Sequence, residues 1–386
     1  MVCRYDQGHA FAFQCSFHGW VYNSSGQLVV LPPGSEQDYS DLNKAEWGLL
    51  EARVEIFYGS IWANWDKTAP DFIEYLGGME TYLKNVFLDE EGTESSIEEG
   101  GVDVLGGVMK WEFGMNWKVP MPDHDSTHAW VTHRSYSVVK PGFGGVNSVT
   151  VDRAGQSNYA LTRRPEDGRP RRGGARPGQT MNISFPHGHT TSLFWPDDLD
   201  APVPESAGFV GTTETPALAE YMRGKRAEKL TNVGKRLVNI GEGPHIFPNT
   251  GFSNRGLRVL HPNGPASTEQ WTYFLVDKDM PAEAREELAR NFEITFGPAG
   301  TQQKDDLENW YILTQYSKGT MTRRTPLNMY LRLGEPPLHG PTTESIQMPG
   351  YWQPDYSDEN NRAFYHRWAE VLTANDWTDL QLQPVR

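Results

Sequence analysis

The chain has 386 residues, a formal charge of −15 at neutral pH, a pI near 5.2 and a mean hydropathy of −0.61. That length can bury a large core in two or three domains, while the acidity excludes unspecific binding to nucleic acid or to an anionic membrane. No apolar run approaches ~18 residues and no signal-type opening is seen, so a soluble, cytoplasmic protein is expected. Two cysteines, Cys3 and Cys15, exclude a disulfide framework or a four-thiolate metal site.

From the N-terminus, residues 11–32 alternate apolar and polar positions around Asn23-Ser24-Ser25-Gly26, which predicts short antiparallel strands. Within them, Cys15-Ser16-Phe17-His18 puts a thiolate and an imidazole on one tight loop, able to approach a single metal centre. A buried thiol beside a hydrogen-bonded histidine is the competing reading of so short a motif. Strand character continues from Leu49 to Trp65. A helix is then predicted over Asp71–Phe87, where Phe72, Tyr75, Leu76, Met79, Tyr82 and Leu83 recur at helical spacing. The domain boundary falls near residue 70, giving a first domain of 1–70 and a second of 71–386.

Met109, Trp111, Phe113, Met115 and Trp117 alternate with polar residues or glycine, the period of a half-buried strand. This strand leads into Asp123, His124, Asp125, His128 and His133. Two imidazoles and one carboxylate on a face of a metal make the facial triad of non-haem Fe(II) oxygenases, leaving open positions for dioxygen and substrate. The histidine pair needs a carboxylate from elsewhere in the chain. Residues five apart on an ideal helix point about 140° away from each other, so His128 and His133 require a local π-type widening to share one metal. For Asp125 a helix N-cap is the competing role.

Further on, the stretch from Arg163 to Gly178 is rich in Arg, Pro and Gly and reads as a mobile loop. In Phe185-Pro186-His187-Gly188-His189 the two histidines read as pocket lining rather than a metal pair. Ala217–Leu237 is an amphipathic helix, Gln270–Val276 a strand closed by Asp277-Lys278-Asp279, and Pro281 starts a helix. A last helix carries Phe364, Trp368, Val371 and Leu372 on one face. With no internal repeat, an α+β domain built on a large antiparallel sheet is expected after residue 70. No nucleotide-binding glycine motif is evident.

Extended to Cys15-Ser16-Phe17-His18-Gly19-Trp20, with Tyr22 and Gly26 following, the first motif resembles the second ligand loop of Rieske domains. Asp125-x-x-His128-x-x-x-x-His133 resembles the catalytic motif of Rieske oxygenases. Phe296-Gly297-Pro298-Ala299-Gly300 ahead of Asp305-Asp306-Leu307-Glu308-Asn309 is similar to the late helix that brings their third ligand, which by register is Asp306. Together with the Thr268–Met280 stretch, the resemblance to the large (alpha) subunit of aromatic-ring-hydroxylating dioxygenases runs over nearly the whole chain.

That resemblance implies part of a Rieske β-sandwich followed by a helix-grip-like catalytic domain, with its large antiparallel sheet flanked by helices. It implies a mononuclear Fe(II) on His128, His133 and Asp306, and Cys15 and His18 as two of the four ligands of a 2Fe–2S cluster. Asp125 would link the catalytic histidine of one subunit to a Rieske histidine of its neighbour, and Phe296 and Gln302 would contact substrate. The implied reaction takes electrons from NAD(P)H through a reductase and a ferredoxin, and uses O2 to convert an aromatic substrate, a bicyclic or polycyclic arene or an aryl carboxylate, to a cis-dihydrodiol. The implied assembly is an alpha3 or alpha3beta3 oligomer with a small beta subunit. Alternatives are a Rieske monooxygenase or demethylase, and a non-redox metal-binding protein or hydrolase.

There are two departures from the family pattern. Tyr5 stands where a Cys-x-His loop at Cys3 would need histidine, and only eleven residues separate Cys3 from Cys15. The first ligand pair is therefore expected upstream of Met1, in a chain truncated inside its Rieske domain. The segment from Trp117 to His128 is also slightly short, and the family's Glu-Asn ahead of Asp125 is not evident.

Overall fold

The computed structural model describes residues 8–35, 37–87, 100–122, 132, 149–151, 157–159, 162–163, 170–171, 178–196, 216–221, 242–253, 255–326, 328–339, 348–354 and 357–380. Two compact units emerge: Met1–Ile56 with Ile61–Ala69, and Phe57–Ser60 with Pro70–Arg386.

In the first unit, β1 (Ala12–Gln14), β2 (Val21–Asn23) and β3 (Leu28–Val30) pair antiparallel in that order. Asn23 builds the turn after β2: its Oδ1 accepts from the N–H of Ser25 at 3.0 Å and of Gln27 at 2.9 Å. Such side-chain mimicry of a backbone turn is why Asn sits there. β4 (Arg53–Phe57) and β5 (Ser60–Asn64) form a two-stranded ladder within the predicted strand region.

The second unit opens with a helix that breaks. α1 (Phe72–Leu76) gives way to a 3-10 turn at Gly77–Met79 before α2 (Glu80–Phe87). Gly77 sits at φ 53°, a value glycine tolerates without a Cβ penalty, so the expected continuous helix is cut there. The predicted inward positions survive the cut: Phe72, Leu76, Met79, Tyr82 and Leu83 are all buried.

β6 (Val102–Phe113) starts earlier than its alternation suggests and stops at Phe113. Two small ladders follow, β7 (Val149–Val151) with β8 (Ser157–Tyr159) and β9 (Thr162–Arg163) with β10 (Pro170–Arg171). The second ladder falls in the stretch read from sequence as loop. The remaining strands are β11 (Gly178–Ser184), β12 (Thr190–Pro196), β13 (Glu242–Ile246), β14 (Thr250–Ser253), β15 (Gly256–Pro262), β16 (Thr268–Asp277), β17 (Leu338–His339) and β18 (Tyr351–Pro354). Together with β6 they make a nine-stranded antiparallel sheet, ordered β17-β18-β11-β12-β13-β14-β15-β16-β6. The architecture is α+β, as the residue patterns predict.

Register sorts the faces of this sheet. Thr268, Gln270 and Thr272 of β16 pair with Phe113, Trp111 and Met109 of β6, and those three β16 residues are buried. On the other face Lys110 pairs with Trp271 and sets its ammonium 3.9 Å from the ring centroid. Such a contact covers the indole without an apolar partner.

Helices α3 (Pro216–Glu220), α4 (Ala282–Phe296), α5 (Thr301–Tyr316) and α6 (Glu359–Thr373) complete the described elements. Of the helix predicted over Ala217–Leu237, residues 222–237 lie outside the described ones. α4 begins just after Pro281, as predicted, and buries Ala284, Leu288, Phe292 and Phe296 with Phe274 and Val276 of β16. Phe292 stacks on Phe274 with ring centroids 4.4 Å apart. Burying one such ring stabilises the unit by roughly 2–3 kcal/mol.

α6 corrects the predicted face. Asn360, Ala363, Phe364 and Arg367 are buried, whereas Val371 is 40% and Leu372 64% exposed. The N-terminal half is the anchored one: Asn360 Nδ2 donates to Thr191 O of β12 at 3.3 Å, and α6 packs on β11 and β12.

Candidate functional site

The segment that follows β6 and precedes the histidine motif is tied to α5 and to the loop before β16. Asn116 N–H donates to Thr314 Oγ1 of α5 at 3.0 Å, and Thr314 in turn donates to Trp310 O at 2.8 Å. Asn116 Nδ2 donates to Pro265 O at 2.8 Å, and Thr268 Oγ1 donates to Met115 O at 2.9 Å. Residues 114–118 have left the ladder, so their backbone groups need such partners. Trp117 packs beside Met121, Phe247, Leu260 and Phe364, fixing the chain where it enters the histidine motif. Asp125, His128 and His133 themselves lie outside the described residues, as does the predicted π-type widening between the two histidines.

Asp306 lies on α5, the helix that Asn116 touches. The corner before α5 is tight: a Cβ at Gly300 would come 2.4 Å from Thr295 O, so only glycine fits. Gln303, Trp310 and Thr314 mark the buried stripe of the helix. At 100° per residue, Asp306 stands about 60° from Gln303 and about 40° from Trp310, on one flank of that stripe. Asp305 stands on the far side. It lines a cleft of about 470 Å³ with Glu112, Met115, Lys304, Glu308 and Tyr311, and Asp306 is not among the cleft's residues.

A carboxylate suits ferrous iron beside two imidazoles. At Asp306, the one expected ligand that is described, the donor type fits an iron centre, and the buried amide of Gln303, without a partner among the described residues, sits one turn away. Among the described residues no three His, Cys, Asp or Glu side chains gather into a group able to hold a metal ion. Phe296 is buried in the α4 core, with the Arg258 guanidinium 5.5 Å from its ring centroid. Gln302 lies on the first turn of α5, and its side chain is outside the description.

In the first unit the Cys15 loop is closed by Cys15 N–H to Trp20 O at 2.8 Å and by Gly19 N–H to Cys15 O at 3.0 Å. Gly19 takes φ 80° to make the turn. The backbone N–H groups of Phe17 and His18 point at the Cys15 sulfur and hold its thiol below the ordinary range. That favours the thiolate, the form that ligates metals. Trp20 anchors the loop, with Tyr39 and Trp47 edge-on to it at 5.8 Å each. The loop thus fits an iron–sulfur cluster in donor type.

The histidines at 187 and 189 are not on a regular strand. They lie on the 3-10 turn Pro186–Gly188 and its edge, between β11 and β12, with His187 at φ 68°. A Cβ at Gly188 would lie 2.7 Å from Arg367 Cβ, so the close approach of α6 requires glycine there. His189 Nε2 donates to Tyr75 O at 2.9 Å, and its Nδ1 accepts from Phe247 N–H at 3.0 Å. Burial pushes His189 down to about 3, and burial with the nearby Arg367 charge pushes His187 down to about 4, so both are neutral. With both His189 nitrogens committed, a His187–His189 metal pair is excluded.

The family model for the ring hydroxylating alpha subunit (catalytic domain) matches residues 102–374. The chain is 32% identical over 384 residues to the chlorobenzene dioxygenase subunit alpha of Cupriavidus sp. (strain PS12), covering 98% of this chain and 76% of that one. It is 31% identical over 389 residues to the biphenyl 2,3-dioxygenase subunit alpha of Rhodococcus jostii (strain RHA1), covering 98% and 75%. Among solved structures, a naphthalene 1,2-dioxygenase variant bound to phenanthrene superposes with a TM-score of 0.75 at 25% identity, covering 98% of this chain and 77% of that one.

Proposed function

The chain belongs to the family of ring-hydroxylating alpha subunits, and on that premise we propose that His128, His133 and Asp306 hold a mononuclear ferrous iron. As a member it is a terminal oxygenase, an oxidoreductase that dihydroxylates aromatic rings. We further propose that residues 1–70 are the C-terminal part of a Rieske domain, whose Cys15 and His18 give one thiolate and one imidazole to a 2Fe–2S cluster, and that 71–386 form the catalytic domain. When bound, the iron supplies the activation of O2 and the cluster the electrons for it.

The protein's own part is placement. Thr314 ties the helix of Asp306 to the segment that runs into His128, and this single contact carries the reading. Asp125 would orient a ligating imidazole and link it to a Rieske histidine of the neighbouring subunit. That bridge needs an alpha3 or alpha3beta3 assembly, the latter with a small beta subunit, fed from NAD(P)H through a reductase and a ferredoxin. Phe296 and Gln302 would line the pocket. The substrate proposed is an arene of one to three rings, the size range of the molecules named for the relatives above. No described helix is long and apolar enough to cross a membrane, and a cytoplasmic site of action is proposed.

The test is iron content after anaerobic Fe(II) loading, read with product formation under 18O2. The wild-type oligomer should keep iron on each chain and place both labelled atoms on the ring, while Asp306→Ala and His128→Ala keep none. Full iron retention by Asp306→Ala would refute the assignment of the third ligand.

A further inference from the structure

We propose that Gln303 is a specificity-determining residue of the active site, its amide hydrogen-bonding an oxygen-bearing substituent on the aromatic substrate. The proposal rests on the ring-hydroxylating reading and narrows its substrate class. Gln303 is 1% exposed, and neither Nε2 nor Oε1 has a hydrogen-bond partner among the described residues. A buried amide with nothing to bond is unfavourable, because it has given up water on both its donor and its acceptor side.

Elsewhere in the same unit buried amides keep at least one partner: Gln270 donates from Nε2 to Thr272 Oγ1 at 3.0 Å, and Asn360, whose Oδ1 has none among the described residues, donates from Nδ2 to Thr191 O at 3.3 Å. On α5 the other large side chain of the buried stripe is the indole of Trp310, and packing alone would be served by methionine at 303. Polarity at this position is therefore not explained by the fold.

Its position supplies the explanation. Gln303 precedes Asp306 by one helical turn, about 60° around the axis. Its Cα–Cβ bond tilts toward the helix N-terminus, the end that follows Phe296. A ring held for attack beside Asp306 would present its substituents to that turn. An unsubstituted hydrocarbon leaves the amide bare. A phenolic hydroxyl can donate to Oε1 and accept from Nε2, and a carbonyl or carboxylate oxygen can accept from Nε2.

The experiment compares the assembled wild-type protein with Gln303→Met and Gln303→Glu, titrated with naphthalene and with 1-naphthol and followed by tryptophan fluorescence. Gln303→Met should weaken 1-naphthol binding about tenfold, the loss of one hydrogen bond in a dry site, and leave naphthalene within about twofold. Gln303→Glu, which keeps an acceptor, should fall between. The thermal midpoint of Gln303→Met should equal or exceed that of the wild type. An unchanged preference between the two ligands overturns the proposal, as does parallel loss of both ligands with a lowered midpoint, which marks a merely structural role. If the wild type binds neither ligand, the proposed pocket for bicyclic arenes falls and takes this inference with it, whereas binding of both without a change in Gln303→Met refutes this inference alone.

Discussion

His189 predicts how the catalytic unit responds to acid. Its imidazole is fully buried, donates to Tyr75 O and accepts from Phe247 N–H, and burial depresses its pKa from 6.5 to about 3. In the unfolded chain the ring regains its ordinary pKa, so as pH falls from 7 the unfolded state takes up the proton first. Stability from this group is complete above ~6.5 and is lost toward the folded value. Between pH 7 and pH 5 the linkage amounts to about 2 kcal/mol, a large share of a typical domain's 5–15 kcal/mol. His187, held down to about 4 by burial, acts in the same direction. Urea unfolding of the wild type and of His189→Gln at pH 7, 6 and 5 measures the effect. The glutamine keeps a donor and an acceptor but does not titrate, so its unfolding free energy should fall by about 2 kcal/mol less over that range. Parallel pH dependence in the two proteins would refute the reasoning.

Thr314→Val removes the acceptor of the Asn116 N–H and leaves that group without a partner. It should cost about 1–3 kcal/mol in urea unfolding and lower iron retention, although residue 314 is not a ligand. Phe292→Ala empties the stacked position against Phe274 and should cost about 3–5 kcal/mol, read as a shifted urea midpoint at constant slope. Gly100→Ala forces a Cβ to within 2.1 Å of Tyr58 O at φ 60° and should lower the thermal midpoint, with a cost of ~1–3 kcal/mol or more. Cys15→Ser should abolish the visible absorption of a reconstituted cluster while leaving the far-ultraviolet circular dichroism unchanged, because Cys15 lies on a loop outside the ladder.

Much of the scaffold was legible because its signals are local. The alternation at Met109, Trp111 and Phe113 marks β6, and Pro281 marks the start of α4. The approach to α5 was marked only by the resemblance of Phe296-Gly297-Pro298-Ala299-Gly300 to the family pattern, and the steric demand at Gly300 is a finding of the structure. What escaped were features decided by distant neighbours. Nothing near Val371 and Leu372 reveals that only the first half of α6 is covered by the sheet. The break at Gly77 was hidden because the apolar positions keep helical spacing across it. His187-Gly188-His189 resembles a strand pair in sequence, yet Gly188 is demanded by Arg367, far along the chain.

The candidate site divides along the same line. Residue type and spacing mark His128 and His133 as a pair that needs a distant carboxylate, while Asp125 and the choice of Asp306 over Asp305 come from the family resemblance. Helical phase supplies a physical argument. Asp305 opens onto the acidic cleft beside Glu112 and Glu308, where a third carboxylate would meet like charge, whereas Asp306 flanks the stripe of Gln303 and Trp310. The helix that carries Asp306 is held by a threonine to the segment that precedes the histidine motif, a contact that no local pattern encodes. The same phase brings Gln303 to the flank of Asp306. A position unremarkable in sequence gains interest there, because its amide is buried without a partner among the described residues, a cost that a bound oxygen substituent would relieve.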